Sequence, residues 1–126
     1  MDFIATAHGF VAGLTRIFPL LVALYALYIF LRKKEIGGDF WPALIIGEAL
    51  FVIQGLIGLI LIIGGVVPGR WIHLLYGAIA ILTWPGFFAY TKGRDNRKEA
   101  FLWFLMSMFL FFITFRAEVT GMPQVF

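Results

Sequence analysis

His8, Arg16, Glu48, Gln54 and His73 lie inside long apolar stretches of this sequence. A b-type haem is held without covalent attachment by two axial groups from facing helices, and imidazole is a good iron ligand. His8 and His73 are therefore candidate ligands for one haem b. An imidazole near a membrane surface also bonds headgroups or backbone, so the interfacial reading stands beside the haem reading. Arg16 and Glu48 carry opposite charges in apolar surroundings, where an unpaired charge costs at least ~2.5 kcal/mol. An Arg16–Glu48 pair is expected, with Gln54 as an alternative partner for Arg16. Such a pair serves either as a tie between two helices or as part of a proton or quinone site.

Other chemistry finds few residues to use. The chain has no cysteine, which removes disulfides, thiolate metal sites, thiol nucleophiles and covalent c-type haem attachment. It contains no Walker loop, His-Glu-x-x-His, Gly-x-Ser-x-Gly or dinucleotide fingerprint. No enzyme activity is expected beyond electron transfer, no metal site and no cofactor are expected, and haem b is the one alternative to that absence. The net charge of +3 and pI near 9.5 raise a nucleic-acid partner, but the basic residues cluster in two short turns rather than on a broad face. No nucleic-acid binding is expected.

The elements that would position these residues follow from hydropathy. Of 126 residues, 62% are hydrophobic and 13% charged, and the mean hydropathy is +0.96. A soluble domain carries about 25% charged residues, so lipid must cover much of this surface. Crossing a ~30 Å hydrocarbon layer takes about 20 apolar residues of helix, and four stretches qualify: residues 3–31, 40–67, 71–90 and 100–115. They lack the alternation of barrel strands. The expected fold is all-α, a single integral-membrane four-helix bundle with up-down-up-down topology. The start Met1-Asp2-Phe3-Ile4 lacks the basic region of a cleavable signal, so the first span is expected to be retained.

Charge sets the orientation. Arg32, Lys33 and Lys34 lie between spans one and two, and Lys92, Arg94, Arg97 and Lys98 between spans three and four; Arg70 and Arg116 fall on the opposite side. Seven basic residues against two place the turns in the cytoplasm and both termini on the outer, periplasmic side of an inner membrane. Trp41, Trp71 and Trp103 lie near span ends, where indoles favour the headgroup region. Trp84 does not, and it sits beside Pro85, which, like Pro19, is expected to kink its helix. Gly9, Gly13, Gly47, Gly55 and Gly58 are expected to mark faces where helices approach closely. The arrangement His8…Pro19 and His73…Pro85 hints at two related hairpins.

Three segments carry a resemblance: His73-Leu74-Leu75-Tyr76-Gly77, Arg97-Lys98-Glu99-Ala100, and Arg116-Ala117-Glu118-Val119-Thr120-Gly121. The second half of the chain resembles a group of small four-helix bacterial proteins associated with electron-transport membranes, and accessory subunits of quinol-oxidising assemblies such as alternative complex III. That resemblance implies an accessory, non-catalytic membrane subunit of a respiratory or photosynthetic electron-transport complex. Its expected partners are the lipid bilayer, other membrane subunits and quinone. The similarity to b-type four-helix cytochromes rests on His8 and His73 alone, whereas the two-haem members carry four histidines. A small transporter or channel using Arg16 and Glu48 is the remaining alternative.

Overall fold

The computed structural model describes residues 2–122, and every regular element among them is helical. Helix α1 spans Asp2–Leu31, α2 Phe40–Ile63, α3 Ile72–Thr91 and α4 Arg97–Gly121. Each is long and apolar enough to cross a membrane. Large apolar side chains such as Phe3, Ile45, Ile63, Leu82 and Phe112 point outward, the arrangement expected where lipid is the solvent. Helices α1 and α3 each pack against α2 and α4 but not against each other, and α2 and α4 likewise stand across a diagonal.

Two helix C-termini differ from the sequence reading by four residues or more. Helix α2 stops four residues early because Gly65 adopts a left-handed φ of +91°. Its N–H donates to Ile62 O, and the N–H of Val66 donates to Leu61 O, the paired bonds of a Schellman cap. Helix α4 runs in the other direction, past residue 115 to Gly121. Residues 116–121, beyond the expected fourth span, therefore belong to the bundle. Both prolines lie within continuous helices, and Pro19 is fully buried.

Hydrogen bonds between connections define the two ends. At one end the N–H of Ile36 donates to Asp95 O, and Arg97 Nε donates to Phe30 O with its guanidinium 4.2 Å from the Phe30 ring. The two basic turns are thus joined. Arg94 Nε bonds Glu99 Oε1 at 2.8 Å beside them. At the opposite end the N–H groups of Gly69 and Arg70 donate to Gly121 O and Thr120 O. They satisfy terminal carbonyls that α4 cannot pair internally.

The core lies toward the basic end. Val22, Ala26, Ile29, Phe40, Leu44 and Trp103 are among its buried members. Trp103 is fully buried, not interfacial as its position near a span end suggested. Its ring lies 5.8 Å from that of Phe40, 4.7 Å from Phe87 and 6.0 Å from Trp41. Trp41 is also drawn inward, with its ring 5.5 Å from that of Phe88. Trp71 alone of the three stands exposed at a helix end. Trp84, within α3, donates to Ser107 Oγ at 3.1 Å, which pairs a buried N–H that would otherwise be costly.

Candidate functional site

Helices α1 and α3 bring His8 and His73 together at the end away from the basic turns. Their ring centroids are 6.3 Å apart and the planes are inclined by 71°. Both rings line a cavity of about 950 Å³ between the helices, within the range of about 300–1,000 Å³ typical of small-molecule sites. Glycines open the space for the rings. A Cβ on Gly58 would lie 3.2 Å from His8 Cε1, and one on Gly121 2.8 Å from the His73 ring.

Backbone carbonyls and a side-chain amide fix the two histidines. His73 Nδ1 lies 2.6 Å from Ala117 O. A carbonyl oxygen only accepts, so Nδ1 carries the proton and Nε2 of the neutral ring keeps its lone pair. His8 is held through its backbone, whose carbonyl accepts from Gln54 Nε2 at 2.8 Å. His8 Nδ1 and Gln54 Oε1 are buried and make no hydrogen bond among the described residues. Gln54 thus braces His8 and does not bond Arg16.

The expected Arg16–Glu48 pair does not form. Arg16 Nη1 instead bonds Glu118 Oε2 on α4, and its guanidinium lies 5.5 Å from the Phe115 ring. Side-chain direction accounts for the choice. Helical side chains lean toward the N-terminus of their own helix. Arg16 and Glu48 on antiparallel neighbours therefore lean apart, whereas Arg16 on α1 and Glu118 on α4 lean toward each other. Counting along the axis, Arg16 stands about 10 Å farther than Glu48 from the basic end. The Arg16 and Glu118 side chains keep 30% and 38% of their accessible surface, and both border the histidine cavity. Glu48 faces a different cleft, nearer the basic end.

The glycines divide into two sets. A Cβ at Gly47 would come 2.5 Å from the Trp84 ring and 2.7 Å from that of Phe18; one at Gly55 would come 2.8 Å from Ile81. These two and Gly58 mark close approaches. Gly9 and Gly13 do not, since a Cβ at either would meet no atom within 4 Å. Gly9 borders the cavity instead of a neighbouring helix, so the Gly-x-x-x-Gly spacing on α1 is not a contact face within the chain.

Ala117, Glu118 and Gly121 escaped the sequence reading as site residues. The signal that could have found them is their spacing: positions 117, 118 and 121 fall on one face of a helix continued beyond residue 115. Among the described residues no group of three or more His, Asp or Glu side chains is placed to hold a metal ion. No family model matches the chain, and no curated protein or solved structure matches it.

Proposed function

We propose that this chain is an accessory electron-transport protein of the inner membrane, which holds one b-type haem between His8 and His73. The observation that carries the reading is the meeting of two imidazoles, from diagonal helices, 6.3 Å apart in a cavity of about 950 Å³. The residues fit the group. Two imidazoles are the donor set that a b-type haem would take, and these two line one cavity. Haem bound there would supply one-electron transfer.

The chain's own residues contribute ligation and constraint. The Ala117 carbonyl takes up His73 Nδ1, which leaves Nε2 as the nitrogen that would hold a metal ion; such outer bonds orient ligand rings and raise their basicity. Gln54 holds the His8 segment in register. Gly58 and Gly121 leave room for the imidazoles, and the Arg16–Glu118 pair places a balanced charge couple on the cavity wall.

The chain's two histidines supply one such pair, so it cannot by itself relay electrons between the two membrane faces. That supports an accessory role, with electrons exchanged with another membrane subunit or with a quinone. The basic turns face the cytoplasm in this reading, because short loops rich in Lys and Arg are retained there. Both ends of the chain then lie outside, and the histidine cavity sits near the outer surface.

Purification from native membranes in mild detergent tests both parts. One haem per chain is expected, seen as a Soret band and a pyridine haemochrome, and lost in His8→Ala and His73→Ala. A colourless protein overturns the haem assignment. Migration on a native gel only as a free monomer or homodimer overturns the subunit assignment.

A further inference from the structure

A second cleft opens on the α2–α3 seam, on the basic side of the histidine cavity and separate from it. It encloses about 500 Å³. Helix α2 lines it with Trp41, Leu44, Ile45 and Glu48, which at helical spacing share one face; α3 contributes Trp84, Pro85 and Phe88. The wall is thus aromatic and aliphatic with a single acid. Glu48 Oε1 is buried and makes no hydrogen bond among the described residues. The two ion pairs among those residues join Arg16 to Glu118 and Arg94 to Glu99, so no arginine or lysine neutralises Glu48.

We infer that this cleft binds a lipophilic organic monocation, such as a quaternary ammonium or phosphonium carrying apolar groups, with Glu48 as its counter-charge and Trp41, Trp84 and Phe88 as its aromatic wall. A carboxylate in apolar surroundings calls for a partner of opposite charge. Aromatic faces attract cations that shed water easily, and tryptophan does so best. A divalent metal ion fits poorly, since hard cations take six or more oxygen ligands and the cleft offers one carboxylate. Depth separates a free cation from a phospholipid headgroup. Glu48 lies eight positions along α2 from Phe40, about 12 Å below the helix start, too deep for a choline group anchored at the membrane surface. The exposed flank of Ile45 leaves the cleft open toward lipid, the phase in which such a cation is concentrated.

Equilibrium dialysis of tetraphenylphosphonium against the full chain in maltoside detergent tests the proposal. Saturable binding at one cation per chain is expected, weakened at least tenfold by Glu48→Gln. Ile45→Trp, which fills the cleft and keeps the carboxylate, should weaken it to a similar degree. Far-UV circular dichroism and a melting curve verify that each variant is folded. Neutral triphenylphosphine oxide should not compete. Absence of saturable binding, unchanged affinity in folded Glu48→Gln, or equal competition by the neutral compound overturns the proposal. Displacement of the probe by added phosphatidylcholine overturns the free-cation assignment in favour of a lipid headgroup.

Discussion

The basic half of the bundle and the histidine half are built from the same four helices by opposite means. Near the basic turns, Phe40, Trp41, Phe87 and Trp103 fill the interior with rings 4.7–6.0 Å apart, and the two turns are joined to each other. At the other end glycine and alanine, together with leucine, isoleucine and valine, line a cavity of about 950 Å³, and polar contacts tie its walls: His73 to Ala117, Gln54 to His8 and Arg16 to Glu118. Aromatic rings fill the interior of one half, while small residues leave open space in the other. The lesson is that similar hydropathy along four spans conceals a division of labour set by side-chain volume.

If cohesion resides in the basic half, Trp103→Ala should have the largest effect on stability. Truncating a fully buried aromatic residue costs about 3–5 kcal/mol, measured as a shift of the unfolding midpoint in mixed detergent micelles. A loss below about 1 kcal/mol would break the comparison. Glu118→Gln should cost about 2 kcal/mol by leaving Arg16 uncompensated in apolar surroundings. A double-mutant cycle should show Arg16 coupled to Glu118 and not to Glu48. Gly47→Ala should cost about 1–3 kcal/mol, because the new methyl meets the Trp84 and Phe18 rings and overpacking forces them aside. Gly13→Ala should be neutral or stabilising by up to ~1 kcal/mol, since the methyl meets nothing and alanine is the better helix former. Equal effects at the two glycines would erase the distinction between the halves.

The four helices were legible in the sequence because hydropathy reports them directly. Their contents were less so, for identifiable reasons. A hydropathy boundary ends where charges begin, so the expected fourth span stopped at residue 115, although helix α4 continues and brings Glu118 to Arg16. Trp103 sits six residues into α4, a position that suits an interfacial indole; its inward direction depends on how α4 is rotated against α2 and α3, which composition does not encode. The Arg16–Glu48 pairing failed on side-chain lean, a three-dimensional property of antiparallel helices. Gly9 and Gly13 had the spacing of a packing motif, but only the placement of neighbouring helices decides whether a small residue meets a helix or a cavity. The depths of His8 and His73 could be read from position along their spans. The glycines that admit their rings, Gly58 and Gly121, come from α2 and α4 and had no sequence signal linking them to the histidines.

The Arg16–Glu118 bond also bears on biosynthesis. Its partners are 102 positions apart, so the guanidinium leaves the ribosome long before the carboxylate. At about 5–20 residues per second the interval is roughly 5–20 s. Throughout it the first span carries a cation that a lipid phosphate, water or the insertion machinery must accommodate. The bond that compensates Arg16 forms only once α4 has been made, so α1 completes its contacts after α4 has emerged.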